Sequence, residues 1–181
     1  MKSIPLPCRR RLLQCLFVLL LLSCQWLKWK EFRSDEGGFS VLMPGTPTPQ
    51  PQRVNSPAGA IDLYMFVVAH DGAEYMVAYN DYPETMVKGT NPEKVLDGAR
   101  DGIIANVRGR LLSETKITLQ QFPGRELKLS LPEGARALQT RLYFVKNRLY
   151  QVGVLAVEKD LSSRDIVKFL DSFRLLPERS R

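Results

Sequence analysis

The chain has 181 residues, of which 44% are hydrophobic and 25% charged, and its formal net charge is +7. This composition excludes a largely disordered protein, because disordered chains combine low apolar content with high net charge. The first 23 residues hold four of the 26 basic residues and no acidic residue, so the other 158 (181 − 23) have a net charge of +3 (22 − 19). That small excess does not indicate nucleic-acid binding.

The N-terminal segment has the organisation of an export signal. A basic stretch at 1–11 precedes an apolar run at 12–22 that is interrupted only by Gln14. A membrane-spanning helix needs roughly 20 apolar residues, so this run is too short to span a bilayer. The three arginines at 9–11 are compatible with both general secretory and twin-arginine export.

The apolar run ends in Leu21-Leu22-Ser23-Cys24, which resembles a bacterial lipobox. The motif predicts a signal peptide at 1–23 and a mature chain that starts at Cys24 with a lipid on its thiol. Cys8 and Cys15 then leave with the signal peptide, so the mature chain has no intramolecular disulfide. An uncleaved signal anchor and ordinary secretion are the alternatives.

The mature chain is predicted to divide into three parts: a membrane-proximal tether at 24–36, one domain at 37–177 and a tail at 178–181. Its length suits a single domain. Within the tether we expect Trp26 at the membrane interface, where indole rings are favoured. We expect Trp29 and Phe32 to pack on the domain instead.

The first part of the domain is predicted to be mainly strands. Residues 39–43 form a short apolar strand, and strand-like runs at 60–69 and 75–82 flank Asp71-Gly72, a dipeptide typical of hairpin turns. Five prolines in 44–57 remove backbone donors. This stretch is therefore predicted to be an extended surface loop without ladder pairing.

Residues 92–108 are predicted to form an amphipathic helix. Asn91 suits the N-cap, Pro92 suits the first turn, and Gly109 suits the C-terminal end. Apolar residues recur every three or four positions and give the helix one buried face.

Two further patterns lie on this helix. Gly98 and Gly102 each cost about 1 kcal/mol relative to alanine, so we expect a neighbouring element to approach closely there. A GxxxG helix contact is the alternative. Glu93, Asp97 and Asp101 follow one another at spacings of four residues, which predicts a solvated acidic face.

The rest of the domain is predicted to be a meander of four strands followed by a helix. The strands are expected at 111–119, 125–131, 136–145 and 148–157, with turns at Phe122-Pro123-Gly124, Pro132-Glu133-Gly134 and Lys146-Asn147. The last helix is predicted to begin at a capping box with Ser162 as N-cap and Asp165 at N3.

The order strand, hairpin, helix, meander, helix describes an α+β fold. In it, an antiparallel sheet of about six to seven strands is sandwiched by helices. Together with the segments Gly38-Phe39-Ser40-Val41-Leu42-Met43-Pro44 and Val167-Lys168-Phe169-Leu170-Asp171-Ser172-Phe173-Arg174-Leu175, this order resembles the PsbP-like superfamily. That superfamily includes the photosystem II extrinsic subunit PsbP and the DcrB-type lipoproteins. The resemblance implies a non-enzymatic module on the lumenal or periplasmic side of a membrane.

No cluster of residues forms a catalytic signature, and no cofactor is predicted. His70 is the sole histidine, and His70, Asp71 and Glu74 are weak candidates for a divalent-metal site, because the Asp-Gly pair is already explained by the turn. Arginines of the helix end and sheet could form a patch for an anionic lipid or an acidic partner. This possible patch comprises Arg108, Arg110, Arg125, Arg141 and Arg148. Pairing of these arginines with carboxylates is the alternative.

Two functions are consistent with the sequence. The first is a lipid-anchored extracytoplasmic module, held at a membrane through Cys24, that binds or helps to assemble a membrane protein complex without catalysis. The second is a ligand-binding or weakly enzymatic periplasmic domain with a pocket between the sheet and the helix at 92–108.

Overall fold

The computed structural model describes residues 29–56, 59–132 and 134–177. The predicted signal peptide, the lipidation site Cys24, Trp26 and the tail at 178–181 lie outside these residues. Within them the chain is α+β, as predicted, with two antiparallel sheets and three α-helices.

The larger sheet has eight strands among the described residues, in the order β3-β5-β6-β10-β9-β8-β7, with β4 pairing β5. Their bounds are β3 Thr48–Pro49, β4 Gln52–Ser56, β5 Gly59–His70, β6 Ala73–Asp81, β7 Arg110–Leu119, β8 Phe122–Ser130, β9 Arg136–Val145 and β10 Arg148–Val157. We call one end of this sheet the Gly72 end, because it carries the β5–β6 turn, the start of β9 and the end of β10. The opposite Asn147 end carries the β9–β10 and β7–β8 turns.

Alternation along the strands gives the large sheet two buried faces, because successive side chains of a strand point to opposite sides. On β9, Tyr143 belongs to one apolar cluster, whereas Leu142 and Phe144 belong to the other. Both faces therefore need a covering layer.

A small sheet and a helix cover the first face. The small sheet has the order β1-β2-β11, with β1 Lys30–Ser34, β2 Phe39–Met43 and β11 Arg174–Leu175. Helix α3, Arg164–Ser172, packs beside β2. Phe39 lies at the centre of this layer, fully buried, and stacks on Phe173 with ring centroids 5.5 Å apart. Burial of one such side chain contributes about 1.5–3 kcal/mol.

Helix α2, Pro92–Val107, covers part of the second face by packing on β8 and β9. The Asn91 side chain accepts a hydrogen bond from the Glu93 amide, as expected of an N-cap. The short helix α1, Glu84–Val87, precedes it. Arg108, rather than Gly109, takes the left-handed backbone conformation that ends α2.

Four local predictions differ from the structure. Residues 52–56 form the ladder strand β4, which the edge position allows despite the neighbouring prolines. The β7–β8 turn lies at Gln120-Gln121, and Phe122-Pro123-Gly124 is the start of β8. The N-cap of α3 is Ser163, which accepts from the Ile166 amide. Residues 30–34, expected in the tether, form β1.

The expected close approach at the helix glycines is also wrong. A Cβ atom added to Gly98 or to Gly102 would have no neighbour within 4 Å, so these glycines face open space. The predicted packing of Trp29 and Phe32 on the domain is confirmed. The Trp29 ring lies edge-on to Tyr75 at 5.7 Å, and the Phe32 ring lies 4.8 Å from Phe66.

Candidate functional site

An open polar cleft of about 780 Å³ lies at the Asn147 end of the molecule. The two hairpin turns of the large sheet supply Gln120, Gln121 and Asn147, and the β1–β2 turn supplies Asp35 and Gly38. The chain leaves the small sheet along the same cleft, through residues 175–177. The cleft therefore joins both sheets at one end of the fold.

Arg148 fixes the wall of this polar cleft. Its Nε and Nη2 atoms donate to the two carboxylate oxygens of Asp81 at 2.6 and 2.7 Å. Its Nη1 atom donates to the carbonyl oxygens of Glu36 and Gly37 at 2.8 and 2.9 Å. The hydrogen bonds that Arg148 donates to the Asp81 carboxylate raise the pKa of Arg148. One guanidinium thus holds the β1–β2 turn against the ends of β6 and β10.

Two tyrosines support the same wall. The guanidinium carbon of Arg148 lies 4.6 Å from the centroid of the Tyr79 ring, within cation–π range. The Tyr150 hydroxyl donates to the Gly37 carbonyl at 2.7 Å. Burial, together with the Glu36 carboxylate, raises the pKa of Tyr79 to about 12. Tyr79 is therefore a neutral phenol at physiological pH and a poor general base.

A charged network at the edge of the sheet holds helix α2 in place. Arg125 of β8 is 7% exposed, and its Nη2 atom lies 2.8 Å from Glu93 and 2.9 Å from Asp97. Its Nη1 atom donates to Glu114 of β7. Burial alone would lower the pKa of Arg125, but the hydrogen bonds to Glu114 and Glu93 outweigh it and the pKa is raised.

The network continues to the outside of the helix. Arg100 contacts Asp97 and Glu114 through Nη1, both at 3.2 Å, and Asp101 through Nε at 2.8 Å. The Lys116 ammonium lies 2.9 Å from Glu93. Glu93 and Asp97 are therefore not the solvated face that their spacing predicted, because they bind the sheet beneath them.

The five arginines of the predicted anionic-partner patch do not form one surface. Arg125 lies in the network and Arg148 in the wall of the polar cleft. Arg141 binds Glu126 at 2.6 Å and Asp171 of α3 at 2.7 Å. Arg108 and Arg110 are exposed at the Gly72 end, and neither forms an ion pair with another described residue.

The candidate metal residues are directed to different partners. His70 Nε2 lies 3.2 Å from a carboxylate oxygen of Asp71, and Glu74 is bound instead by Arg136 Nη2 at 2.9 Å. Within the described ranges, no group of three or more His, Cys, Asp or Glu residues has a geometry that could hold a metal ion. His70 is also absent from the lining of the polar cleft.

A second cavity, of about 230 Å³, lies between the sheet and the C-terminal end of α2, where the sequence predicted a pocket. Its walls are mainly apolar and come from β5, β6, β9, β10 and the end of α2, with Met65, Val67, Met76, Val107, Leu138 and Leu155 among them. We call it the apolar cavity. The sequence predicted a pocket between the sheet and this helix but did not identify its lining residues, because the alternation that marks them as buried does not show that α2 leaves them partly uncovered.

No described helix is long and apolar enough to cross a membrane. No protein-family model and no curated protein sequence matches the chain.

Among the solved structures similar to this one are three bacterial proteins. Cyanobacterial PsbP from Synechocystis has a TM-score of 0.57 at 9% identity, covering 84% of this chain and 95% of its own. PA94 of Pseudomonas aeruginosa has a TM-score of 0.41 at 12% identity, and the match covers 77% of this chain and 90% of PA94. LpqN of Mycobacterium tuberculosis, which is involved in cell envelope biogenesis, has a TM-score of 0.45 at 14% identity. The match covers 83% of this chain and 91% of LpqN. The similarity to cyanobacterial PsbP bears out the predicted PsbP-like fold.

Proposed function

We propose that this chain, which has the PsbP-like fold, is a lipid-anchored extracytoplasmic module. In this proposal it binds, or helps to assemble, a membrane protein complex and catalyses no reaction. The lipid is carried by Cys24, and the partner contacts the polar cleft at the Asn147 end.

The observation that carries this proposal is the position at which the chain enters the domain. Trp29 is held at the Gly72 end by its ring contact with Tyr75 and by the Lys168 ammonium, 4.5 Å from the ring centroid. Cys24 precedes Trp29 by five residues (29 − 24), which span at most about 18 Å when fully extended. A lipid on Cys24 would therefore keep the Gly72 end next to the bilayer.

Two exposed arginines at that end favour the same orientation. Arg108 and Arg110 are exposed there, and a basic residue next to an anionic membrane contributes about 1 kcal/mol to binding. The polar cleft lies at the opposite end of the strands and would face away from the membrane. It would then be open to a partner that extends from the bilayer.

The ionisable groups support a non-catalytic role. Catalytic acids and bases need pKa values close to the working pH, which active sites reach by strong shifts. In the described part of the chain, burial raises the pKa of Tyr75 and of Tyr79 to about 12, and the hydrogen bond from Lys116 lowers the pKa of Glu93. These shifts move the groups away from neutral pH.

Co-purification from detergent-solubilised membranes tests the partner. We expect the wild-type chain to retain a defined set of membrane proteins, and we expect Gln121→Arg, in the cleft, to lose them. Thr115→Arg, on the outer strand β7, is the matched control and should retain them, because Thr115 is exposed but does not line the cleft. Equal retention by both variants, or no retained protein with the wild type, would contradict the proposal.

A further inference from the structure

We infer that the apolar cavity is a binding site for one acyl chain of a membrane lipid. The lipid would enter from the bilayer next to the Gly72 end, so this inference rests on the anchoring proposed above. It concerns a different surface from the polar cleft and a ligand other than the protein partner.

The chemistry of the walls favours a hydrocarbon. Met65, Val67 and Met76 form the floor on β5 and β6, and Leu138 and Leu155 continue it on β9 and β10. Two of these side chains are methionines, which are unbranched and adapt to flexible ligands. An alkyl chain adapts to such walls without leaving a polar atom unpaired.

The volume suits part of one chain. An apolar cavity of about 150 Å³ takes up benzene, so a cavity of 230 Å³ holds roughly nine carbon atoms. This is about half of a common membrane acyl chain. The remainder of the chain would extend through the mouth of the cavity.

The rim carries the polar groups that a lipid head needs. Glu74 lies at the rim and is bound by Arg136, and both side chains are nearly half exposed, at 47% and 43%. Arginine forms bidentate hydrogen bonds with phosphate, so Arg136 can contact a phosphate head while the acyl chain lies inside. Gln50, exposed on the other side, completes the rim.

The position of the cavity identifies the source of the ligand. Glu74, on the rim, is adjacent in sequence to Tyr75, the residue against which Trp29 packs. The cavity and the point of chain entry thus lie at the same end of the sheet, on opposite faces. In the proposed anchoring, Trp29 lies only five residues after the lipidated Cys24. The mouth of the cavity would therefore lie within reach of the bilayer.

Photo-crosslinking on vesicles tests the inference with the full lipidated chain. The vesicles contain phosphatidylethanolamine and a minority of phosphatidylglycerol, with a trace of phospholipid that carries a diazirine either midway along one acyl chain or on the head group. Mass spectrometry maps the labelled peptides. We expect acyl-chain labelling on β5, β6 and the end of α2, and head-group labelling over the Gly72 end.

Two variants fill or cover the cavity. Val107→Phe places a ring inside it, and Gln50→Trp covers its mouth from an exposed position at which misfolding is not expected. Because each methylene contributes about fourfold to affinity, exclusion of even two should reduce acyl-chain labelling about tenfold or more. Val95→Phe is the matched control, since Val95 is half-buried on the same helix but does not line the cavity.

Each outcome has a distinct meaning. Loss of acyl-chain labelling in both variants, with head-group labelling retained, supports the inference. Strong head-group labelling without acyl-chain labelling of the cavity overturns the inference. Acyl-chain labelling that both variants leave unchanged overturns it as well. Neither result contradicts the anchored module. A chain that washes off the vesicles and takes up neither label contradicts both proposals.

Discussion

Arg125 of β8 donates a hydrogen bond from Nη2 to the carboxylate of Glu93, at 2.8 Å, and so ties the first turn of helix α2 to the sheet. The two residues are 32 positions apart in sequence and belong to different layers of the fold. Arg125 is buried, whereas Glu93 remains one-third exposed. This contact, with those to Asp97 and Glu114, holds the helix over one half of the sheet.

Replacement of Arg125 by leucine should destabilise the domain. The change removes the cation that Glu93, Asp97 and Glu114 share and leaves these three carboxylates close together. Removing one partner of a fully buried ion pair costs several kcal/mol. Because the carboxylates are partly exposed, we expect a loss of about 2 kcal/mol in the free energy of unfolding, measured by urea denaturation. Arg136→Leu, which breaks a half-exposed pair, should cost less than about 1 kcal/mol. Equal losses of unfolding free energy in the two variants would contradict the claim that the burial of Arg125 makes its ion pairs the stronger ones.

The acid sensitivity of the domain should depend on Glu93. The hydrogen bond from Lys116, followed by that from Arg125, lowers the pKa of Glu93 below its ordinary value of 4.5. A carboxylate with a lowered folded-state pKa contributes stability above its unfolded pKa, and this contribution is lost as pH falls through the folded value. The stability difference between the wild type and Glu93→Gln should therefore shrink as pH falls below 4.5. A constant difference in urea titrations over this range would contradict the prediction.

The two glycines of α2 offer a stabilising substitution. A Cβ atom at Gly98 or Gly102 meets nothing within 4 Å, so alanine adds helix propensity without a clash. Each change should raise the free energy of unfolding by about 0.5–1 kcal/mol. Gly124→Ala is the opposite control, because its Cβ would clash with the Leu142 carbonyl oxygen. Destabilisation by Gly98→Ala would contradict the open environment assigned to this helix face.

The β1–β2 turn should depend on the shape of Arg148. Lysine keeps the charge but cannot bind Asp81 in a bidentate manner and reach the Glu36 and Gly37 carbonyls at the same time. We expect Arg148→Lys to cost about 1–2 kcal/mol and to speed amide hydrogen exchange in residues 35–38. Arg33→Lys is the control, since the pair of Arg33 with Asp35 is more than half exposed and should contribute little. Unchanged exchange in Arg148→Lys would contradict the role given to the guanidinium.

Local sequence signals predicted the elements whose cause is local. The bounds of β9 and β10 match the structure, because alternation and the Lys146-Asn147 turn define them within a few residues. Helix α2 was also predicted closely, because the Asn91 cap and Pro92 mark its start. The Asp71-Gly72 turn has both residues at positive φ, 47° and 74°, as expected of a tight hairpin.

The failures involve residues whose role depends on distant neighbours. Gly124, next to Pro123, was predicted as a turn residue, but it lies in β8 and pairs with β7 and β9. The Leu142 carbonyl of β9 leaves no room there for a side chain. Glu93 and Asp97 were predicted to lie on a solvated helix face, because their spacing along the helix does not show that Arg125 lies beneath them. Local spacing also could not show that Arg141 and Arg148 bind carboxylates of other elements.

The most direct test of the anchored module is the mass of the N-terminal peptide of the chain recovered from membranes. We predict that this peptide begins at Cys24 and carries a lipid on its thiol, and that Cys24→Ala yields no lipidated peptide and a chain that leaves the membrane fraction. An unmodified Cys24 in membranes, or a Cys24→Ala chain that stays membrane-bound at the same size, would contradict the account.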